Sequence, residues 1–513
     1  MVLTAAGLFL WCLALPAAAT RYYVNDTNLV GDVYTLDIGL DVNNGTNPCC
    51  PKATIQSILS KHDLEPGDTI FVDTGIYVLT NNITLTSEDA GSALAYVVIQ
   101  GSTNIDFGGT FIDRNAIGTT DFCIHNMGAD YVLLADLRLS HGLSGVYFQE
   151  ASYGMLSNVW IGSAQTYGIN LSANSDYNQV INCGITKGNK YGVWNQGVGN
   201  RIVNSTIAHN GDSQIWLSSG SIELQNSIVL CGTANKFCID QGGGTAYAGN
   251  FNDLVATNGA IVGKKDSQAC PYLLDWQRQS SQDTNSLSHD PLFAQSVSND
   301  YHLCSLTGRY VPGSGWTSDV AQSACIDPGN PGSIWTNEPV PNGGRINLGA
   351  YGGTFKASKS LTTGWLLALS FNAGGIVQGN VTLRWRSGLT NGLDTVRLEY
   401  ARDESNGWEQ ITSGLLASVE QYDWATTNVL GSPFARWRVV SESDTNVWDA
   451  TDQTFNLRPF VFYVNDSITS DDQYCTAPGN DLNPGVSSNA PKASVQAILN
   501  TYDLDAGDKV YVD

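Results

Sequence analysis

The sequence predicts an all-β protein built around a solenoid, and a repeated phrase is the main evidence for this fold class. The phrase occurs five times, with copies starting at residues 136, 158, 182, 204 and 226. The copies read Asp-Leu-Arg-Leu, Asn-Val-Trp-Ile, Asn-Cys-Gly-Ile, Asn-Ser-Thr-Ile and Asn-Ser-Ile-Val. A period of 22 to 24 residues on a β-type pattern is typical of stacked solenoid coils.

A second, much longer repeat supports the same fold class. Residues 463–466, 491–493 and 507–508 repeat residues 23–26, 51–53 and 67–68, each with an offset of 440. A second solenoid unit is therefore expected to begin near residue 461. We expect residues 461–513 to be the truncated start of that unit, within a longer protein of tandem units.

Each copy of the phrase predicts one short, half-buried strand. The positions before and after the variable residue are small or apolar, while the variable residue itself is Arg138, Trp160, Gly184, Thr206 or Ile228. Alternation with period two means that the variable residue points outward. A second strand is expected later in several coils, at residues 145–148, 168–171, 192–194 and 215–217.

The first residue of each phrase is expected to form a polar ladder at a turn. Stacked coils place like residues above one another, and amide side chains can satisfy backbone groups and each other. We predict a structural rather than a catalytic role for this ladder, which comprises Asp136, Asn158, Asn182, Asn204 and Asn226.

These features resemble the right-handed parallel β-helix repeat proteins of bacterial envelopes and secretomes, the pectate-lyase-like fold. Residues 66–77 and 506–513 look like that family's first core strand, residues 290–303 like its closing coils, and residues 324–352 like its terminal signature. The resemblance covers residues 22–355 and implies the fold. It leaves activity open, because the fold hosts lyases, hydrolases, epimerases, adhesins and inert rods.

Three segments are predicted before the repeat unit that begins near residue 461. Residues 1–19 read as a secretory signal peptide, although no Lys or Arg precedes the apolar run. Residues 20–357 form the β-helix, with an N-terminal capping helix within residues 51–64. Residues 264–300 break the rhythm, as either an irregular coil or a long loop. Residues 358–460 alternate like the strands of a fibronectin- or immunoglobulin-like sandwich.

Composition and export narrow the choice of partners. The chain has 48 acidic and 25 basic side chains, a formal charge of −23, so nucleic acid and anionic membrane surfaces are not expected partners. After removal of the signal, no segment is long and apolar enough to span a membrane.

Export would permit disulfides, and Cys231–Cys238 and Cys304–Cys325 are the pairs that the spacing suggests.

A column of polar residues is the candidate catalytic site. It lies five residues beyond the ladder and contains His141, Lys187 and His209, which would share one edge of the helix. His can act as a general base, and Lys can neutralise a uronate carboxylate. The alternative is that these are exposed turn positions, which collect polar residues by default. No zinc-type cysteine spacing occurs, and Ca²⁺ is the cofactor that a pectate-lyase-like site would require.

Outward side chains suggest a carbohydrate-binding surface at Arg138, Trp160 and Trp194. Indole rings can stack on sugars, with Tyr167 and Tyr191 as further candidates. Packing of Tyr191 and Trp194 against adjacent coils is the alternative.

Two functional hypotheses remain. The first is a secreted or cell-surface protein that contacts polysaccharide or the cell envelope without catalysis. The second is a polysaccharide lyase, hydrolase or epimerase that works in a groove on the helix. The sequence favours the first, because it lacks a recognisable acid/base set and because tandem units multiply weak contacts.

Overall fold

A computed structural model describes residues 19–116, 118–389, 393–403, 407–427, 429–504 and 506–513. The predicted signal peptide, apart from residue 19, lies outside these ranges. The chain winds into a parallel β-helix, so the predicted fold class is confirmed. No helix of the described ranges is long and apolar enough to cross a membrane.

Each coil contributes one strand to each of three sheets, whereas the sequence indicated only two strands in most coils. Sheet 1 contains Arg21–Val24, Thr69–Val72, Val97–Gly101, Val132–Ala135, Met155–Ser157, Gln179–Ile181, Asn200–Val203, Ser221–Gln225 and Ala246–Asn250. Sheet 2 contains Gly75–Val78, Thr110–Asp113, Leu137–Ser140, Trp160–Gly162, Gly184–Thr186, Thr206–Ala208, Ile228–Cys231 and Asp253–Ala256. Sheet 3 contains Ile83–Thr86, Phe122–Met127, Ser144–Gln149, Tyr167–Leu171, Tyr191–Asn195, Ile215–Leu217, Phe237–Gln241, Ile261–Lys265 and the antiparallel Gln268–Cys270.

One left-handed residue turns the chain from sheet 1 into sheet 2 in each of the repeated coils. This residue is the Asp or Asn that starts each phrase, and its φ lies between 46° and 55° in all five copies. Asn and Asp tolerate the left-handed region better than other non-glycine residues. The sharp turn sends the next side chains inward, and Leu137, Val159 and Cys183 are fully buried.

Both ends of the β-helix are capped. At the N-terminal end the helix Ile55–Leu59 buries Ile55 and Ile58, and Thr54 accepts a hydrogen bond from the Ser57 amide at its start. At the other end the helix Leu273–Ser280 places the fully buried Trp276 over Gly263. The irregular region of the sequence is therefore a second cap, which covers the apolar core that an open solenoid end would expose.

Residues 290–358, here called the extension, do not continue the coils. They contain the antiparallel pairs Phe293–Gln295 with Asp300–Leu303 and Arg309–Val311 with Gly315–Thr317. The extension folds back over the outer face of sheet 2, where it buries Ile228 and Leu230. The expected closing coils are thus a cover over one face of the helix.

The following module has two sheets around one core. The first contains Leu366–Ala368, Asn380–Ser387 and Gln421–Ala425; the second contains Ile376–Val377, Thr395–Ala401, Glu409–Leu416, Ser432–Ser441, Trp448–Ala450 and Phe455–Leu457. Trp385 and Trp437 pack between them. The fibronectin- or immunoglobulin-like assignment of this module stays a prediction.

The 440-residue repeat is also structural. Val461–Val464 pairs in parallel with Lys509–Val512, as Arg21–Val24 pairs with Thr69–Val72. The helix Val495–Thr501 starts 440 residues after Ile55. The remaining short elements are the 3₁₀ turns Ser87–Asp89, Ile105–Phe107, Ser296–Ser298 and Ala417–Val419.

The ten cysteines of the described ranges are free, so the two expected disulfide pairs are not formed. Cys325 instead donates its thiol to Asp253 Oδ2 at 3.1 Å, and Cys238 donates to the carbonyl of Val255 at 3.1 Å. These thiols behave as buried hydrogen-bonding groups, and burial raises the pKa of both.

Candidate functional site

A cavity of about 380 Å³ lies between the outer face of sheet 2 and the extension. We call it the sheet-2 cleft. Its floor includes Phe111, Arg138 and Trp160, which stack in adjacent coils at the outward position of each strand. The extension also lines it, through Ser298, Asn299, His302, Pro312, Tyr351 and Lys356. The outward column that the sequence indicated is therefore the floor of a cavity.

Arg138 is exposed and is oriented by its neighbours. Its guanidinium lies 5.4 Å from the centre of the Phe111 ring, and Nη1 donates to the carbonyl of Gly108 at 3.2 Å. Because a guanidinium has five N–H donors, others remain for a ligand.

Trp160 is half-buried, and the glycine of the next coil makes room for it. A Cβ atom at Gly184 would lie 2.1 Å from the Trp160 ring, so only glycine fits beneath the indole. Tyr351 and Tyr301 contact Trp160 from the extension, with ring centres 5.5 and 5.8 Å away. The indole is therefore held rigidly at one end of the cleft.

Three cations and one carboxylate line the cleft. Arg138, Lys187 and Lys356 are the cations, and Asp136 is the acid. Burial lowers the pKa of Lys187 and of Lys356, which means that their ammonium groups have lost hydration. His302 also lines the cleft, and burial lowers its pKa, so its ring is neutral near pH 7.

The candidate catalytic column lies at the turn that leaves sheet 2. His141, Lys187 and His209 all adopt the left-handed conformation, with φ of 62°, 57° and 60°. Of these three, only Lys187 lines the cleft. Its Nζ donates to the carbonyl of Val297 and to Asn299 Oδ1, both at 2.7 Å.

The two histidines have separate surroundings. His141 Nδ1 lies 2.6 Å from Asp113 Oδ1. The His209 ring lies 6.1 Å from the Tyr301 ring, and burial, followed by the nearby charge of Lys187, lowers its pKa. The column therefore shares an edge, as the spacing predicted, without converging on one reacting position. Its catalytic role stays a prediction.

Trp194 lies on sheet 3, away from the cleft. Tyr167 stacks on it at 4.7 Å and Trp216 at 5.2 Å, and its Nε1 donates to Ser218 Oγ at 2.6 Å. The indole of Trp194 therefore already contacts two aromatic rings, and its N–H group already has a hydrogen-bond partner. This geometry favours packing against adjacent coils over sugar stacking.

The Asp/Asn ladder has two parts. In the coils nearer the N-terminal end, Asp136 accepts hydrogen bonds from Asn158 Nδ2 at 2.6 Å and from Gln100 Nε2 at 2.7 Å. In the coils nearer the C-terminal end, Asn182 and Asn226 bind the extension instead. Asn182 Nδ2 donates to the carbonyl of Gly352 at 2.8 Å, and Asn226 Nδ2 donates to Ser333 Oγ at 2.9 Å.

The residues that the extension contributes were missed by sequence reasoning. Lys356 and Tyr351 lie about two hundred positions beyond the floor they face. One signal was present: Ile228, Leu230 and Val255 are apolar at outward positions of sheet 2 and are buried. Apolar outward residues in consecutive coils indicate that something covers the face.

No group of three or more His, Cys, Asp or Glu side chains within the described ranges is placed to hold a metal ion.

Comparison with known proteins gives one family match. The model of the family described as periplasmic copper-binding protein (NosD) matches residues 62–237, about a third of the chain. No curated protein sequence matches significantly.

Three solved structures are similar at low identity. Pectate lyase Pel9A has a TM-score of 0.42 at 15% identity, over 65% of this chain and 96% of that one. An alginate lyase from Paenibacillus sp. str. FPU-7 has a TM-score of 0.29 at 14% identity, over 39% and 83%. The enzymatically active domain of bacteriophage CBA120 tailspike protein 2 has a TM-score of 0.28 at 11% identity, over 77% and 73%. No activity is inferred from them.

Proposed function

We propose that this parallel β-helix repeat protein is an extracytoplasmic protein that binds an anionic saccharide in the sheet-2 cleft without cleaving it. The observation that carries the proposal is the charge of the cleft. Three cations and one carboxylate line it, in a chain whose formal charge is −23. A cationic cleft on an acidic protein attracts anions locally, while the rest of the surface repels them.

The side chains of the cleft suit a uronate or a sulfated sugar. The guanidinium of Arg138 can bind a carboxylate or sulfate with two parallel hydrogen bonds. Lys187 and Lys356, whose pKa values are lowered by burial, would regain a counter-charge when an anion binds. Trp160 offers an aromatic surface for the apolar face of a sugar ring. The volume lies at the small end of the roughly 300–1,000 Å³ range of ligand pockets.

Two features favour binding over hydrolysis. Hydrolysis of a glycosidic bond ordinarily uses a pair of carboxyl groups on either side of the bond. Asp136 is the one carboxylate among the described residues that line the cleft, and two amide side chains already donate to it.

The extracytoplasmic location is supported by the apolar N-terminal run and by the periplasmic description of the matched family.

A lyase is the second candidate, because lysines of lowered pKa favour a general base. The two candidates differ in a measurable product, since elimination creates an unsaturated sugar that absorbs in the ultraviolet.

The test is a calorimetric titration of the chain with trigalacturonate and with a sulfated trisaccharide, alongside a neutral trisaccharide. We expect binding of a charged ligand only, and at least a tenfold weaker affinity for Arg138→Ala and Lys356→Ala. Arg201→Ala is the matched control, since Arg201 pairs with Glu223 on sheet 1. Equal affinity for neutral and charged ligands, or equal losses in the control, would contradict the proposal.

A further inference from the structure

We infer that the sheet-2 cleft receives the end of an anionic saccharide chain and excludes its middle. This inference rests on the proposed function and adds the mode of binding to it. It follows from the way in which the extension closes the outer face of sheet 2 on the C-terminal side of the cleft, while Ile76 and Val78 of the first coil stay exposed.

One edge of sheet 2 is closed at the Asn ladder. Asn182 Nδ2 donates to the carbonyls of Ala350 and Gly352 at 3.0 and 2.8 Å. One coil further on, the amide of Ala350 donates to Thr206 Oγ1 at 3.0 Å. The segment around residues 350–352 is therefore fixed to two consecutive coils.

The opposite edge is closed by Lys187. Its ammonium group donates to the carbonyl of Val297 and to Asn299 Oδ1, which holds the turn before Asp300–Leu303 against the coil. The part of the extension that closes sheet 2 beyond Trp160 is here called the barrier. Lys187 holds this barrier in place and is also one of the cations of the cleft.

Aromatic rings fill the space between the two edges. Tyr301 is 1% exposed and packs on Ala208 and Leu230 of the lower coils. Tyr351 lies between Trp160 and His302, with its ring centre 3.6 Å from that of His302. A saccharide that lies on Trp160 cannot continue toward the C-terminal coils, because these rings occupy the path.

In the other direction Ile105 and Pro312 line the cleft, and the first coil of sheet 2 is exposed. The column of Arg138 and Trp160 continues upward through Phe111 to Ile76, which is 64% exposed, and the neighbouring column ends at Val78, which is 58% exposed. From Ile76 to Trp160 there are three coil steps of roughly 4.8 Å, or about 14 Å. The groove is therefore short, open at the N-terminal coils and blind at Trp160.

The test counts protein molecules on oligogalacturonates of defined and increasing length by light scattering on the unmodified chain. An end-binding cleft places the same number of protein molecules on a chain regardless of its length, and this is the expected result. A number that rises with length overturns the inference. Absence of binding even to trigalacturonate is a different result, since it removes the proposed function itself.

A second measurement uses trigalacturonates that carry a bulky group on one end only. We expect at least one of the two capped forms to lose more than tenfold in affinity, because the capped end cannot enter beside Trp160. Full affinity for both capped forms would show that the cleft accepts the middle of a chain, and would overturn the inference.

Discussion

The carboxyl group of Asp253 gives a worked prediction of how stability depends on pH. Asp253 starts the last strand of sheet 2, is fully buried beneath the extension, and accepts hydrogen bonds from the His289 amide at 3.0 Å and the Cys325 thiol at 3.1 Å. Burial raises its pKa from 3.8 to about 7. The protonated form is therefore preferred in the folded protein below neutral pH.

The sign and size follow from linkage. Between pH 4 and pH 7 the folded state binds the Asp253 proton more tightly than the unfolded state, so the contribution of this group to stability falls as pH rises through that window and is constant above it. A shift of about three pKa units corresponds to about 4 kcal/mol. The part that is lost between pH 5 and pH 8 is about 3 kcal/mol on the same basis.

The perturbation is Asp253→Asn, which keeps an acceptor for the His289 amide and removes the charge. Urea unfolding of the variant and of the unmodified chain at pH 5 and pH 8 gives the difference in unfolding free energy at each pH. We expect this difference to move in favour of the variant by about 3 kcal/mol between pH 5 and pH 8. Asp266→Asn, at an exposed left-handed turn, is the control. A difference that does not change with pH would refute the reasoning.

Two further predictions concern the cleft and its barrier. Gly184→Ala places a Cβ atom against the Trp160 ring. We expect this variant to lose about 1–3 kcal/mol in unfolding free energy and to bind the saccharide more weakly. Unchanged binding would show that Trp160 is not part of the floor. Thr206→Val leaves the buried Ala350 amide without its acceptor, at a cost of about 1–3 kcal/mol. Hydrogen exchange should then accelerate at residues 350–352, and unchanged exchange would show that another contact holds the extension.

The sequence was informative where coils repeat. Alternation at Leu137–Ser140 and its copies predicted sheet 2, and the later apolar runs predicted sheet 3. Sheet 1 was missed in most coils because its strands there, such as Met155–Ser157, are short and end directly before the phrase, only two residues before the next strand, Trp160–Gly162. The strand before the turn and the strand after it therefore read as one element.

The floor of the cleft could be predicted from the sequence, but the residues that the extension contributes could not. Arg138 and Trp160 stand out as large side chains at outward positions of successive coils, which period two reveals. Lys356 and Tyr351 reach the cleft because the extension folds back over sheet 2, and local periodicity carries no information on such a long-range contact. The C-terminal cap was hidden for a different reason, since the helix Leu273–Ser280 is only eight residues long and runs into a polar stretch.

The central claim is that the sheet-2 cleft holds an anionic sugar. The most direct measurement is a crystal structure of the chain with trigalacturonate. The account predicts a sugar ring on Trp160, with its carboxylate within hydrogen-bonding distance of Arg138 or Lys356 and the chain leaving toward Ile76. A saccharide bound on sheet 3, with nothing bound in the sheet-2 cleft, would contradict it.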